Sequence, residues 1–587
     1  MSAMTDTAPR ASSHDRADAL TAGLALLGVA ALLARDESGA ALLPRAALWA
    51  AQLPAIAAWL TRRCGLLARG DSGSAAGRSL AITSGVFLLA GVAGAIERRL
   101  DVALAILTLF VAGQSAVDWG VAWARAVAAR ASAPRRLAVV ALVGWLVVVA
   151  IGTAVLATPA ATISGVPDYR HNFWRHVSFC AQSAVSAAAL VGVSGYDLQT
   201  DYSPFGCAVL YGLMQIGGAG VAALGLVAIQ PLLGRPLRLA TVLKASLALQ
   251  AAGAAVMLAA WRAADAPDAA TRLGWSLFHS ASALLNCGLC LKAGGLASYL
   301  SNGLVFVAAT GLMLAGSIGL APLIAALGWI REDRSGGEAR RGTAPLSPAA
   351  GVLQRTISLE FAAAFWLLVV GAVALFFIEA PGVMPPAMRT TRPLDLGPGQ
   401  VPLFDMRSAG ARWKAAVFLS ANARSAGFAG VPLAQGAISG MGLALVLLWM
   451  AIGGSTASFA GGLRTTTVLG WFVMRFGAAR GSVEDGLRRR LLRRLRRLAL
   501  WSLALPAAAA GALFLLQDAT AWERVVDGAS AGCGVGWTTG LAPHLTWAAR
   551  LAMIGFMLAG RLVPLIGWCG IASELSATEP PRRNARR

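Results

Sequence analysis

Charged side chains are scarce in this chain: 13% of 587 residues, against 57% hydrophobic. A soluble domain carries about twice that share of charge, so a soluble globular fold is excluded and a polytopic membrane protein is the reading left. Lysine is scarcer still, at Lys244, Lys292 and Lys414 only, so arginine carries the net charge of +22. The arginines cluster between apolar spans, as cytoplasmic anchors do, and this argues against a nucleic-acid partner. Cysteine is sparse, odd in number at seven, and scattered, which excludes a disulfide framework. Cys287 and Cys290 make a C-x-x-C, but no second pair lies at metal spacing, and small residues packed round a loop account for it. His171 and His176, in an expected external loop with Asp168, read as interfacial polarity rather than a metal site. Paired intramembrane carboxylates and a Ser/His/Asp set are both missing, so no enzyme is expected. No cleavable leader is legible either, and the apolar run Ala19 to Ala34 reads as a first membrane span.

What is present is one order of segments repeated four times. Ser183 to Gly220 gives a short apolar run, a glycine turn at Gly192, a polar segment and a second apolar run. The order recurs at Phe278 (FHSASALLNCGLC), Phe418 (FLSANARSAGFAG) and Glu523 (ERVVDGASAGCGVGWTTG). Each unit reads as an outward helix, a half-helix with a re-entrant loop, and an inward helix. The predicted fold is all-α: four parallel helix–pore loop–helix repeats around a pseudo-fourfold axis. About four extra transmembrane helices precede them, at Leu20 to Ala34, Ala46 to Leu60, Leu80 to Ile96 and Val102 to Trp123. The boundaries are 1–136 for the N-terminal helices, 137–238 and 239–355 for repeats one and two with a cytoplasmic linker, 356–497 for repeat three, and 498–587 for repeat four with a basic tail. The linker is Arg331 to Arg355, and Ala380 to Arg412 is an external loop. Arginine after the second and fourth helices puts the N-terminus in the cytoplasm.

Four loops with one central glycine each, Gly192, Gly288, Gly427 and Gly536, can close round an axis and line it with backbone carbonyls, as a cation pore requires. A glycine can also be a helix-packing notch, but four in matching contexts point to the loop. Gly453 to Gly462 (GGSTASFAGG) interrupts an apolar span. Non-helical backbone at that depth must be buried in protein or line a water-filled cavity, so a loop below the ring is expected, with a kinked helix as the alternative. Arg561 stands among apolar residues, at a position expected about two turns before the end of the last helix. It must find water, a carboxylate or carbonyls, by facing the pore or by snorkelling. The run Arg488 to Arg497 reads as an anchor against anionic lipid.

At these residues the chain resembles the Trk/Ktr/HKT superfamily of potassium and sodium transporters, over about Leu137 to Ile571. The specific matches are Leu213 to Gly218, Phe278 to Ser280, Ala423 to Phe428, Ile452 to Ser455 with Gly461 to Thr467, and Gly560 to Leu562 with Pro564. The resemblance implies a selectivity filter at Val191, Gly192, Asn286, Cys287, Gly288, Ser425, Ala426, Gly427, Val535 and Gly536, with potassium or sodium as substrate and no other cofactor. It implies a gate at Gly453, Gly454, Ser455, Thr456, Gly461 and Gly462 with Arg561. It further implies a bacterial inner-membrane homodimer, each protomer with its own pore, governed by a cytosolic nucleotide-binding ring. No Rossmann glycine fingerprint occurs, so that ring would be a separate polypeptide.

Two residues before the glycines this chain has Leu190, Asn286, Ser425 and Gly534, where the family usually has polar side chains, and Trp537 follows the last glycine. The loss of oxygens at Leu190 and Gly534 leads to an expectation of weak preference for potassium over sodium. The leading reading is monovalent cation uptake, potassium first and sodium second. The alternatives are a mainly sodium-permeable transporter and a non-conducting membrane sensor or scaffold that keeps the fold.

Overall fold

The computed structural model describes residues 133–163, 173–233, 237–261, 268–292, 295–296, 302–334, 346–380, 409–424, 426–428, 438–477 and 483–577. The four expected N-terminal helices, His171 and Asp168, nearly all of the external loop, the centre of the linker, Ser425 and the basic tail lie outside them. The chain divides into two compact units, Met1–Val177 and Ser178–Arg587. Of the first, α1 is described, Ala133–Leu156, which is long and apolar enough to cross a membrane.

The described regular elements of the second unit are helices, joined by loops. α2 (Phe173–Ala188) begins at the boundary and is followed by α3 (Pro204–Ile229). Then come α4 (Leu239–Ala260), α5 (Ala269–Leu284), α6 (Gly303–Ile318) and α7 (Leu320–Arg334). α8 (Pro348–Ile378), α9 (Ala409–Ala423), α10 (Gly440–Ala451) and α11 (Thr465–Phe476) make the next group. α12 (Asp485–Leu516), α13 (Ala521–Cys533) and α14 (Trp547–Ala577) complete it. α3, α4, α8, α12 and α14 are long and apolar enough to span a bilayer, so the protein is a multi-pass membrane protein. Their large exposed side chains, Leu247, Phe365, Trp366, Leu515 and Leu551 among them, face outward because lipid, not water, is their solvent.

The short helices α2, α5, α9 and α13 are held between the long ones through small residues. α4, α5 and α6 pack on one another, as do α8, α9 and α10, and α12, α13 and α14. Neighbouring groups touch in sequence: α3 on α4 and α5, α6 on α8 and α9, α10 on α13 with α11 on α12, and α14 back on α3. The return is fixed also by Arg550 of α14, which donates to Ser178 Oγ (2.9 Å) and lies 3.6 Å over the Phe179 ring. Glycines let the backbones approach. A Cβ at Gly217 of α3 would strike the Ala188 carbonyl that ends α2, one at Gly316 of α6 the Leu284 carbonyl that ends α5, and one at Gly560 of α14 the Gly532 carbonyl in α13. The glycines of the Leu213 to Gly218 and Gly560 to Leu562 matches thus seat the ends of short helices.

Three boundaries differ from the sequence reading. α8 begins at Pro348, capped by Ser347, so the linker is shorter than Arg331 to Arg355. α12 continues unbroken from Asp485 through its arginines into the span. The inward helix of the second repeat is not one helix but breaks at Gly319 with an 83° bend.

Candidate functional site

Three of the four short helices, α2, α5 and α13, end alike. Within two residues of their ends the chain turns left-handed at Leu190 (φ 56°), Asn286 (φ 50°) and Gly534 (φ 65°), a helix C-cap conformation. The backbone N–H groups of Val191, Cys287 and Val535 then donate to the carbonyls of Ser186 (2.8 Å), Ser282 (2.9 Å) and Ser530 (2.9 Å), and Ala426 donates to Asn422 (3.0 Å). Next come Gly192 (φ 99°), Gly288 (φ 82°), Gly427 (φ 68°) and Gly536 (φ 92°). Positive φ is the region that a missing Cβ opens.

These glycines form a closed cycle. A Cβ at Gly192 would strike the carbonyl oxygen of Cys287; at Gly288, that of Ala426; at Gly427, that of Val535; and at Gly536, that of Val191. Each loop abuts the next, and the fourth abuts the first. The structure therefore brings Val191, Gly192, Cys287, Gly288, Ala426, Gly427, Val535 and Gly536 together, each pair read from a separate stretch of sequence. Asn286 behaves differently. Its amide donates to Met313 O (3.2 Å) and accepts from Ser317 N (3.0 Å), so it serves α6. Trp537 is buried in a core with Leu419 of α9 and Trp449 of α10, which explains a large residue beside the last glycine.

Sequence reasoning missed the groups that hold the loops. Gly192 N donates to Ser186 Oγ (2.8 Å), and Gly536 N to Ser530 Oγ (3.0 Å). Ser282 Oγ donates to Leu289 O (2.8 Å), and Asn422 exchanges two bonds with the Phe428 backbone (2.7 and 2.9 Å). A second set stands nine residues before each glycine. Ser183 Oγ accepts from Gly195 N (3.4 Å), His279 Nε2 from Leu291 N (3.2 Å), and Asp527 Oδ1 from Thr539 N (3.0 Å). His279 Nδ1 lies 2.7 Å from Trp275 O. A carbonyl can only accept, so the proton is on Nδ1 and Nε2 is free to accept. Phe418 stands at this position in the third loop, buried. The signal was available in the common spacing of polar residues within apolar helices.

Below the ring, Ile452 to Arg464 leaves the helix between α10 and α11. Its ends are pinched together by Gly453 N to Leu463 O and Leu463 N to Ala451 O, 2.9 Å each. The bend at Gly319 leaves the last carbonyls of α6 without helical partners, and this loop supplies them. Phe459 N donates to Gly316 O (3.0 Å), Ser455 N to Ser317 O (3.0 Å), and Ser455 Oγ to Ile318 O (2.6 Å). A Cβ at Gly319 would strike Ala457 O, and one at Gly461 would strike Cys533 O at the end of α13.

Three buried guanidiniums serve the loop's own oxygens. Arg424 donates to Gly453 O (3.4 Å), Arg464 to Ser455 O (3.1 Å), Ser458 Oγ (3.2 Å) and Ala460 O, and Arg561 to Phe459 O. Thr456 N donates to Thr466 Oγ1 (2.9 Å), whose hydroxyl in turn meets Glu360 of α8. Arg561 also donates to Ala189 O (2.7 Å), Leu190 O and Gly534 O (3.2 Å) at the base of the first and fourth loops. It lies sixteen residues before the end of α14 at Ala577, not two turns, and is fully buried. Of the partners left open by the sequence, it takes carbonyls.

The sequence profile of the TrkH family, cation transport proteins, matches residues 237–565, more than half of the chain. The chain belongs to the TrkH family. Among its relatives, the Ktr system potassium uptake protein B of Bacillus subtilis (strain 168) is 26% identical over 451 residues, 72% of this chain and 90% of that protein. The potassium/sodium uptake protein NtpJ of Enterococcus hirae is 24% identical over 467 residues, 73% of this chain and 91% of that protein. The crystal structure of the potassium transporter TrkH from Vibrio parahaemolyticus superposes with a TM-score of 0.52 at 17% identity, over 84% of this chain and 96% of that one. It shares the fold. The TrkH profile begins at residue 237, yet the cycle of abutting glycines takes in Gly192 on equal terms with the three loops inside the matched range.

Proposed function

We propose that this TrkH-family protein takes up monovalent cations, potassium first and sodium second, through a selectivity filter made by the four glycine loops. The observation that carries the reading is the closed cycle in which each glycine abuts the carbonyl before the next loop's glycine. Such a ring offers oxygens on all sides of one axis, the arrangement that replaces a cation's water. The short helices α2, α5, α9 and α13 end at the ring and aim their partial negative charge at it. Four parallel repeats round a pseudo-fourfold axis fit this arrangement, with the third opening at α8 (Pro348) and the fourth at α12 (Asp485). The names of the relatives, potassium uptake protein B and potassium/sodium uptake protein, support the ion class.

The loop Gly453 to Gly462, with Arg561, is the proposed gate: it is stitched to α6 and α13 below the ring. Its release would fall to a separate cytosolic nucleotide-binding ring acting on a homodimer in a bacterial inner membrane, with the chain's N-terminus cytoplasmic.

The test is uptake of rubidium into proteoliposomes holding the purified chain, with potassium and sodium as competitors. Uptake above protein-free liposomes, suppressed more by potassium than by sodium, is the expected result. A folded, correctly inserted protein that passes neither ion would overturn the reading and favour the sensor.

A further inference from the structure

α12 carries seven arginines in its first turns, and the structure divides them into two groups. Three serve the protein. Arg488 donates from Nε to Met474 O (2.9 Å) and from Nη2 to Arg475 O (3.3 Å), satisfying carbonyls at the end of α11. Arg490 and Arg494 each pair with Glu574 of α14 at 3.0 Å, and Arg494 donates to Gly570 O at 3.0 Å. The other four, Arg489, Arg493, Arg496 and Arg497, are exposed and have no partner among the described residues.

These four share a face. With 3.6 residues per turn, Arg489, Arg493 and Arg496 fall in an arc of about 80° that continues through Leu500, Leu503 and Phe514, with Arg497 at its edge. Leu500 is 59% exposed, Trp501 63% and Leu503 45%. The buried face runs opposite, through Leu487, Leu491, Leu495, Leu498, Ser502, Pro506, Ala509 and Leu513. One outward stripe therefore changes from basic to apolar without a break in the helix. From Leu500 to the helix end at Leu516 is about 24 Å at 1.5 Å per residue, close to the ~30 Å of a hydrocarbon core. That span sets the arginines at headgroup depth. Beside them, the end of α11 exposes Phe472 and Phe476, with Arg475 5.2 Å over the Phe476 ring, an edge of the type found at membrane interfaces.

We propose that Arg489, Arg493, Arg496 and Arg497 bind the phosphate headgroup of an anionic phospholipid, whose acyl chains lie along Leu500 and Leu503. The order of chemistry selects this occupant. An acidic soluble protein would meet the charges but not the apolar surface that continues from them, whereas a phospholipid presents an anion and a hydrocarbon in that order. Guanidinium is suited to the headgroup because its fork matches phosphate oxygens. Since the stripe is separate from the glycine ring, the proposal stands whether or not the filter reading does.

The test uses the full chain in nanodiscs of phosphatidylcholine with a minor share of phosphatidylglycerol, followed by native mass spectrometry of the lipids retained. The parent should retain phosphatidylglycerol preferentially, and the preference should fall as salt is raised. Each arginine is worth about fivefold, so Arg493→Gln with Arg497→Gln should lower the preference by roughly 25-fold. Arg489→Gln with Arg496→Gln should do the same, and both variants, altered only at exposed positions, should remain monodisperse. Equal retention of the two lipids by the parent would overturn the proposal. So would a monodisperse variant with the parent's preference, or displacement of phosphatidylglycerol from the stripe by an acidic soluble protein.

Discussion

Replacing Arg561 separates two effects that the structure combines in one side chain. Its guanidinium donates to Phe459 O in the Gly453 to Gly462 loop, the proposed gate, and to Ala189 O, Leu190 O and Gly534 O under the ring. Each charge-assisted bond contributes about 1.5–3 kcal/mol net, but water in an open cavity can take over the three carbonyls under the ring. The tie to the loop is one of many, since Arg464 and the end of α6 hold the same segment. Loss of the bonds alone should therefore shift the loop by only a few kcal/mol. The charge acts separately: at an effective dielectric constant of 20, a unit charge 4 Å from a cation costs about 4 kcal/mol, and about half that at twice the distance. Arg561→Ala should thus speed rubidium uptake by roughly 30-fold or more in proteoliposomes. Arg561→Lys keeps the charge but has a compact ammonium in place of the fork, so it should gain severalfold at most. Equal gains in the two variants would show that the ties, not the charge, form the barrier. A well-folded Arg561→Ala no faster than the parent would refute the assignment altogether.

Three further outcomes follow from the ring. Gly536→Ala puts a methyl group onto the Val191 carbonyl and should abolish uptake while leaving the protein monodisperse, as measured by rubidium flux and gel filtration. Leu190→Thr with Gly534→Thr, which the sequence alone suggests as a way to sharpen potassium selectivity, instead puts β-branched residues at φ 56° and 65°. Left-handed backbone costs an L-residue about 1–2 kcal/mol, a cost that Gly534 does not bear and that β-branching raises at position 190, so the pair should melt at lower temperature with unchanged rubidium–sodium competition, and sharpened competition would contradict this. His279→Gln retains an acceptor for Leu291 N and should keep the parent's competition profile, whereas His279→Leu should relax it towards sodium; identical profiles would show that this tie does not position the ring.

The ring glycines were legible because their requirement is local: positive φ at Gly192, Gly288, Gly427 and Gly536 leaves a turn signal in each loop, and the four signals share a context. The six helices of membrane length among the described residues were legible from hydropathy. The bend at Gly319 was passed over, although Gly319 (φ 92°) followed by Pro322 is a local helix-stop signal; what the sequence did not carry is the loop 140 residues away whose N–H groups take the freed carbonyls of Gly316 and Ser317. The role of residues two before the glycines was misjudged for a related reason. Side-chain chemistry suggested a lower ring of oxygens, but the backbone there is a helix cap, which turns Asn286 to α6 and aims the carbonyls of Leu190 and Gly534 at Arg561. Partners at long range in sequence leave no local trace.

The buried charge balance bears on how such a loop could move. Arg424, Arg464 and Arg561 are all buried against Gly453 to Ala460, and the nearby buried acid is Glu360, tied through Thr466. Three guanidiniums against one carboxylate leave backbone carbonyl dipoles to compensate the rest. A guanidinium stripped of those carbonyls inside protein would cost several kcal/mol, so the loop cannot withdraw from all three and leave a dry gap. Opening must exchange carbonyl for water at each arginine as the loop leaves, which is possible only if the space below the ring fills with water in the same step. On the proposed reading, the wetting that admits a hydrated cation and the displacement of the loop are therefore one event, and a substitution that makes the loop's surroundings more apolar while leaving the three arginines in place should hold the gate shut rather than free it.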